Sequence, residues 1–161
     1  LPGWRWIHTP GHTAGHVSLF RDEDRVLIAG DAVITTKQES AFAVATQRPE
    51  LHGPPAYFTS DWDAARASVR ELAALSPRVI ATGHGLPVAG EEAEVSLRSL
   101  AQHFDEWARP ASGRYVHQAA VTGPGGVVSL PPARKGKAVP VILGAAALGA
   151  VWYAWTRRRA S

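Results

Sequence analysis

Two short apolar runs constrain this chain most: Val26–Gly30 ("VLIAG"), closed by Gly30-Asp31, and the run within Arg78–Thr82 ("RVIAT"), followed by Gly83-His84-Gly85. Apolar runs of this length bounded by glycine read as buried strands, and other elements must cover them. A third place shares the design. The aromatic, alternating "WRWIH" (Trp4–His8) reads as a strand, and the Pro10-Gly11 turn ends it with His12 next in line. Glycine at each turn permits a tight bend and a close backbone approach to a bound group. Each strand therefore ends beside a side chain able to ligate a metal: His12, Asp31 or His84.

The rest of the chain alternates strand and helix signals. "HVSLF" (His16–Phe20) reads as a strand, and the charged "RDEDR" (Arg21–Arg25) is a turn that makes it an antiparallel partner of Val26–Gly30. Residues Thr35–Thr59 carry three prolines and no clear period, which predicts a long loop, and long loops in compact domains are often functional. Phe42, His52, Tyr57 and Phe58 in that loop form either a substrate wall or aromatic packing beneath a surface loop. Ser60 or Asp61 caps a helix whose apolar face is Ala64, Ala65, Val69, Leu72 and Leu75, and Pro77 stops it. A second helix is predicted from about Glu91 to Ala108, with Val95, Leu97, Leu100, Ala101, Phe104 and Trp107 on or near one face. Pro110–Lys137 is rich in proline and glycine and reads as a linker or extended tail.

Composition narrows the chemistry. The chain has 161 residues and 45% apolar content, enough for one packed domain. Without Arg157, Arg158 and Arg159, basic and acidic residues balance at 14 each, so nucleic acid is not a favoured partner. There is no cysteine, which excludes disulfides, thiolate-held zinc and thiol catalysis. Any metal must be held by His, Asp or Glu. Two imidazoles and a carboxylate suit zinc, and also iron or manganese. The chain has no methionine and opens directly on a strand-like run, which reads as a piece of a longer protein.

"HTPGHTAGHVSLF", then "VLIAGDAV", then "VIATGHG" resemble, in that order, the second half of the metallo-β-lactamase fold superfamily of hydrolases. The resemblance covers roughly Trp4 to Ala108. It implies an α/β fold, the C-terminal half of an αββα sandwich, with a site for one or two metal ions at one edge of the sheets. Carried over by position, His12 resembles the histidine that completes the first metal's ligands. Asp31 resembles the carboxylate bridging two metals, and His84 the late histidine on the second. His16 and Thr13 match no ligand position; His16 either supports a neighbouring ligand by a hydrogen bond or serves structure alone. His8 is read as a non-ligand. The family's H-x-H-x-D-H run is absent from the chain, so that half of the site either lies upstream or has been lost. The chemistry implied is metal-dependent hydrolysis of an ester, thioester, lactam or similar bond in a small molecule, with hydroxide generated from metal-bound water as nucleophile. By itself the piece is expected to be inactive. The alternative is a non-catalytic, membrane-tethered binding module that keeps the fold.

The domain plan that follows is a partial metallo-β-lactamase-like domain at 1–109, a linker at 110–137, a membrane helix at 138–155 and a basic tail at 156–161. Ala138–Trp155 is an 18-residue run without a charge. As a helix it reaches about 27 Å, just short of the hydrocarbon thickness. Trp152, Tyr153 and Trp155 suit the interface and the arginines suit lipid headgroups. The expected location is membrane-anchored by a single pass, with a cytoplasmic protein as the alternative. Deleting Ala138–Ser161 from the full protein is expected to move it from the membrane fraction to the soluble one and to leave metal binding unchanged. A full protein that stays in the supernatant after ultracentrifugation without detergent would refute the span.

Overall fold

The structure, a computed structural model, describes residues 2–36 and 50–133. Five strands form one sheet in the order β1-β2-β3-β4-β5: β1 Trp4–His8, β2 Val17–Arg21, β3 Val26–Gly30, β4 Val79–Thr82 and β5 Val88–Ala89. β1 pairs antiparallel with β2 and β2 with β3, as the charged turn predicts; β3 pairs parallel with β4. A parallel pair needs a crossover, and α1 (Trp62–Ala74) lies within it. α2 (Glu91–Gln102) and the short α3 (Phe104–Trp107) follow β5.

Strand register sorts the sheet into two faces. Phe20, Leu27, Ile80 and Val88 are directly opposed across β2–β5, and all are buried. With Ile7 and Ala29 they pack against Trp62, Ala65, Val69 and Leu72 of α1 and Ala93, Leu97 and Leu100 of α2. The alternate row is Trp6, Leu19, Ile28 and Ala81. Trp6 is 72% exposed and Ile28 38%. The described residues therefore form one helical layer on one face of a sheet, and the other face is apolar and open.

Asp61 caps α1, its side chain accepting the Ala64 amide at 2.9 Å. The helix ends at Ala74, ahead of Pro77, with Ser76 in the left-handed region at φ 44. The second predicted helix differs from expectation. It breaks at His103, which leaves helical geometry at φ −110 and ψ 24, so α2 and α3 are separate. Val95 and Trp107, expected on the apolar face, are half exposed, whereas Phe104 is buried.

Within the stretch whose composition suggests a linker, Val116 packs into the core. A hairpin forms there too, from β6 (Val121–Gly123) and β7 (Gly126–Ser129). The two-residue strand β5 has no counterpart in the sequence reading. The expected membrane helix Ala138–Trp155, the basic tail and Phe42 lie outside the described residues. Among the described residues no helix is long and apolar enough to cross a membrane.

Replacing Asp61→Ala leaves the Ala64 amide without its side-chain acceptor. It is expected to lower unfolding free energy by about 1 kcal/mol, the usual loss for a helix cap, read from the urea midpoint. An unchanged midpoint would show that water replaces the cap without cost.

Candidate metal centre

Strand direction brings the three ligand-type residues together. β1 is two antiparallel steps from β3, so both run the same way, and β4 runs parallel to β3. The C-terminal ends of β1, β3 and β4 therefore open on one edge of the sheet. His12, Asp31 and His84 follow those three ends. His12 Nε2 lies 3.5 Å from Asp31 Oδ2, and His84 Nε2 lies 3.5 Å from Asp31 Oδ1. The side chains are 14%, 27% and 41% exposed for His12, Asp31 and His84, so the site opens on the His84 side.

Each turn is held from outside. The loop carrying His12 is closed by the Thr9 amide on the His16 carbonyl at 2.9 Å. It is strapped to the start of α1: the Gly11 carbonyl accepts the Ser60 and Asp61 amides, both at 3.0 Å, and Ser68 donates to the Pro10 carbonyl at 2.7 Å. His84 is fixed through its carbonyl, which accepts the Thr35 amide at 3.0 Å, the Thr82 hydroxyl at 2.9 Å and the Thr35 hydroxyl at 3.2 Å. The Gly83 amide donates to the Gly30 carbonyl at 2.9 Å, tying the second and third turns to each other. Gly83 lies flat against the carboxylate, since a Cβ there would run into Asp31 Oδ1.

Asp31 is held through its backbone. Its amide donates to His16 Nε2 at 3.0 Å, while His16 Nδ1 faces the Thr9 hydroxyl at 2.8 Å and the Thr9 carbonyl at 3.2 Å. The Thr9 hydroxyl continues to Ser18 at 2.9 Å, and Ser18 donates to the Ala29 carbonyl at 3.0 Å. His16 therefore hydrogen-bonds the backbone of Asp31 rather than its carboxylate. His8 Nε2 instead donates to the Ala14 carbonyl at 2.8 Å and lies outside the cluster. Tyr57 and Phe58 are about three-quarters exposed, so they do not pack beneath their loop. His52 pairs through its backbone with Ile34.

Burial lowers the pKa of His12, against the opposing field of Asp31 and with small contributions from His16 and His84. Burial also lowers that of His16, partly offset by its bond to Thr9 and by Asp31. In both the shift favours the neutral imidazole, the form that offers a lone pair.

The polar atoms at the centre fit a cation. Asp31 Oδ1 is buried without a hydrogen-bond partner among the described residues, as is His12 Nδ1. A buried acceptor left unmade is costly, and a positive ion would satisfy the carboxylate. The separations of 3.5 Å are too long for good hydrogen bonds. They are close to the edge of about 3.3–3.4 Å expected between two ligands of one tetrahedral zinc. Among the described residues, however, no group of three or more His, Asp or Glu is arranged to hold a metal ion by itself. What is present is two ligand pairs sharing one carboxylate, each short of the three protein ligands usual for a catalytic site.

Sequence reasoning missed Thr9, Ser18, Thr35 and Thr82. One signal was available: Ser18 falls on the same side of β2 as buried Phe20, and a hydroxyl in that row must find a partner.

The fold and the edge cluster together define a mixed α/β chain with ligand-type residues at the ends of co-directional strands. The chain belongs to the metallo-β-lactamase superfamily, whose family model matches residues 1–84, a span that includes His12, Asp31 and His84. Members of this superfamily generally bind metal ions. Among curated relatives, the chain is 55% identical over 104 residues to YflN of Bacillus subtilis (strain 168), named a probable metallo-hydrolase; the match covers 65% of this chain and 39% of that protein. It is 26% identical over 98 residues to YqjP of the same organism, also named a probable metallo-hydrolase, covering 61% of this chain and 29% of that protein. The chain thus spans well under half the length of these relatives. Among solved structures it is similar to a metallo-β-lactamase family protein, TTHA1429, of Thermus thermophilus. The identity is 27% and the TM-score 0.43, over 63% of this chain and 30% of that one.

Gly30 sits at φ +56, and a Cβ there would come within 2.7 Å of His16 Nε2. Gly30→Ala is expected to cost about 1–3 kcal/mol of stability, combining left-handed strain with displacement of the imidazole. It is also expected to speed hydrogen exchange at the Asp31 amide. Stability and exchange at wild-type levels would show that the turn relaxes freely.

Proposed function

We propose that this chain contributes His12, Asp31 and His84 to the metal centre of a hydrolase acting on an ester, thioester, lactam or similar bond of a small molecule. One observation carries the reading: the two oxygens of Asp31 face two different imidazoles, His12 on Oδ2 and His84 on Oδ1, both at 3.5 Å. Were ions bound here, Asp31 would hold them through its carboxylate, with His12 and His84 as the imidazole donors. Zinc suits the donor set, and iron or manganese also fit it. When bound, such ions lower the pKa of water and polarise the bond under attack.

The chain's own residues do the rest. His12 and Asp31 are the more buried members, which limits competing water around them. The more open His84 faces the side from which substrate enters. No nucleophilic serine or cysteine is required, in keeping with a chain that has no cysteine.

Asp31→Ala in the full protein tests the assignment. It should lose bound metal and reduce turnover by more than the roughly 10–100-fold typical of residues that only support a ligand. Stability should change by less than about 1 kcal/mol, because the carboxylate leaves Oδ1 unpartnered in the absence of an ion. Metal content by elemental analysis and turnover that both stay at wild-type levels would overturn the proposal, and would favour a non-catalytic module that keeps the fold.

A further inference from the structure

The hydrogen bonds beneath Asp31 have a direction that the backbone dictates at both ends. The Ala29 carbonyl can only accept, so the Ser18 hydroxyl donates to it at 3.0 Å. Ser18 has then spent its one proton, and at 2.9 Å from Thr9 it must accept. Thr9 has spent its own proton in turn, and at 2.8 Å from His16 Nδ1 it must accept from the ring. Nδ1 therefore carries the proton. From the other end, the Asp31 amide can only donate, and its bond of 3.0 Å to Nε2 requires a lone pair there. The two ends independently demand the same tautomer.

We propose that His16 is a positioning residue locked as the Nδ1–H tautomer by this one-way chain, and that its Nε2 lone pair sets where Asp31 stands between His12 and His84. The inference rests on the reading of Asp31 as a ligand given above, and extends it to residues that would touch no metal ion.

The geometry makes His16 suited to this role and unsuited to others. Both ring nitrogens are committed, so neither is free for a metal. The chain begins at the Asp31 amide and ends at the Ala29 carbonyl, spanning the Gly30 bend that turns the backbone out of β3. Closing a ring of hydrogen bonds across three consecutive residues fixes the direction in which the next side chain leaves. The ring packs directly on Gly30, where a Cβ would displace it. Thr9 and Ser18 are buried at 1% and 0% exposure, so water does not substitute for either hydroxyl. Thr9 and His16 also frame the loop that carries His12. One network therefore sets the backbone at two of the three ligand turns.

The test uses the full protein and three readouts. Nitrogen-15 NMR of the wild-type ring should show His16 protonated at Nδ1 and bare at Nε2, with or without added zinc. His16→Ala should speed exchange of the Asp31 amide by about 2- to 10-fold, the worth of one net hydrogen bond. It should also weaken zinc binding by roughly 10–100-fold. His16→Gln, which keeps one acceptor and one donor on a side chain of similar reach, should recover most of both effects, and it serves as the working variant if the alanine form does not fold. An Nε2–H tautomer in the wild type would overturn the inference. So would zinc affinity and Asp31 exchange that are unchanged in His16→Ala, or a glutamine form no better than the alanine form. If the wild type binds no zinc but shows the Nδ1–H tautomer and a protected Asp31 amide, the metal reading falls and the positioning of Asp31 stands.

Discussion

The parallel pairing of β3 with β4 is the constraint on which the rest depends. It is the one parallel contact among the described strands, and it joins segments about 50 residues apart in sequence. Parallel neighbours cannot be linked by a tight turn, so the chain must leave the sheet and return through a crossover that carries a helix. α1 fills that role and covers the buried row of the sheet. The same pairing sets the C-terminal ends of β3 and β4 side by side, where ligand sites of open α/β sheets commonly lie. β1, two antiparallel reversals away from β3, adds a third end to that edge. Antiparallel pairing of β3 with β4 would have put Asp31 and His84 at opposite ends of the sheet.

A second layer of order lies beneath the turns and is polar. Buried hydroxyls are costly unless every one is satisfied. Here Thr9 and Ser18 work with His16 to fix the bend at Gly30, and Thr35 with Thr82 fixes the carbonyl of His84. The two groups share no atoms, but the Gly83–Gly30 hydrogen bond couples them. The acidic and imidazole side chains above are thus held mainly through their backbones. Two of their polar atoms, Asp31 Oδ1 and His12 Nδ1, are left without a hydrogen-bond partner among the described residues. Polar atoms held in place yet unsatisfied are what a cation site requires.

Much of this was legible one element at a time. The strand at Val26–Gly30 has the bounds that its apolar run indicated, because five such residues between a charged turn and a glycine admit few alternatives. The cap at Asp61 and the buried positions Ala65, Val69 and Leu72 follow from helical spacing. The second helix was less legible: periodicity runs on through His103, but the backbone breaks there so that Phe104 can reach the core while Trp107 remains half exposed. The hairpin at β6–β7 was hidden because valines among glycines in a proline-rich stretch give no sustained period.

By itself, the sequence determined which residue types sit at the strand ends and which chemistry they allow: two imidazoles and a carboxylate, each behind a glycine, and no thiol. It also determined the family, since three ordered motifs carry that resemblance. Only the tertiary structure decided that the three turns share an edge, that the imidazoles face different oxygens of Asp31, and that His16 meets the Asp31 amide and the Thr9 hydroxyl. The physical reason is that strand direction and register are set by pairing between distant segments. A motif of nine residues specifies its own turn, but not the neighbour that turn will meet.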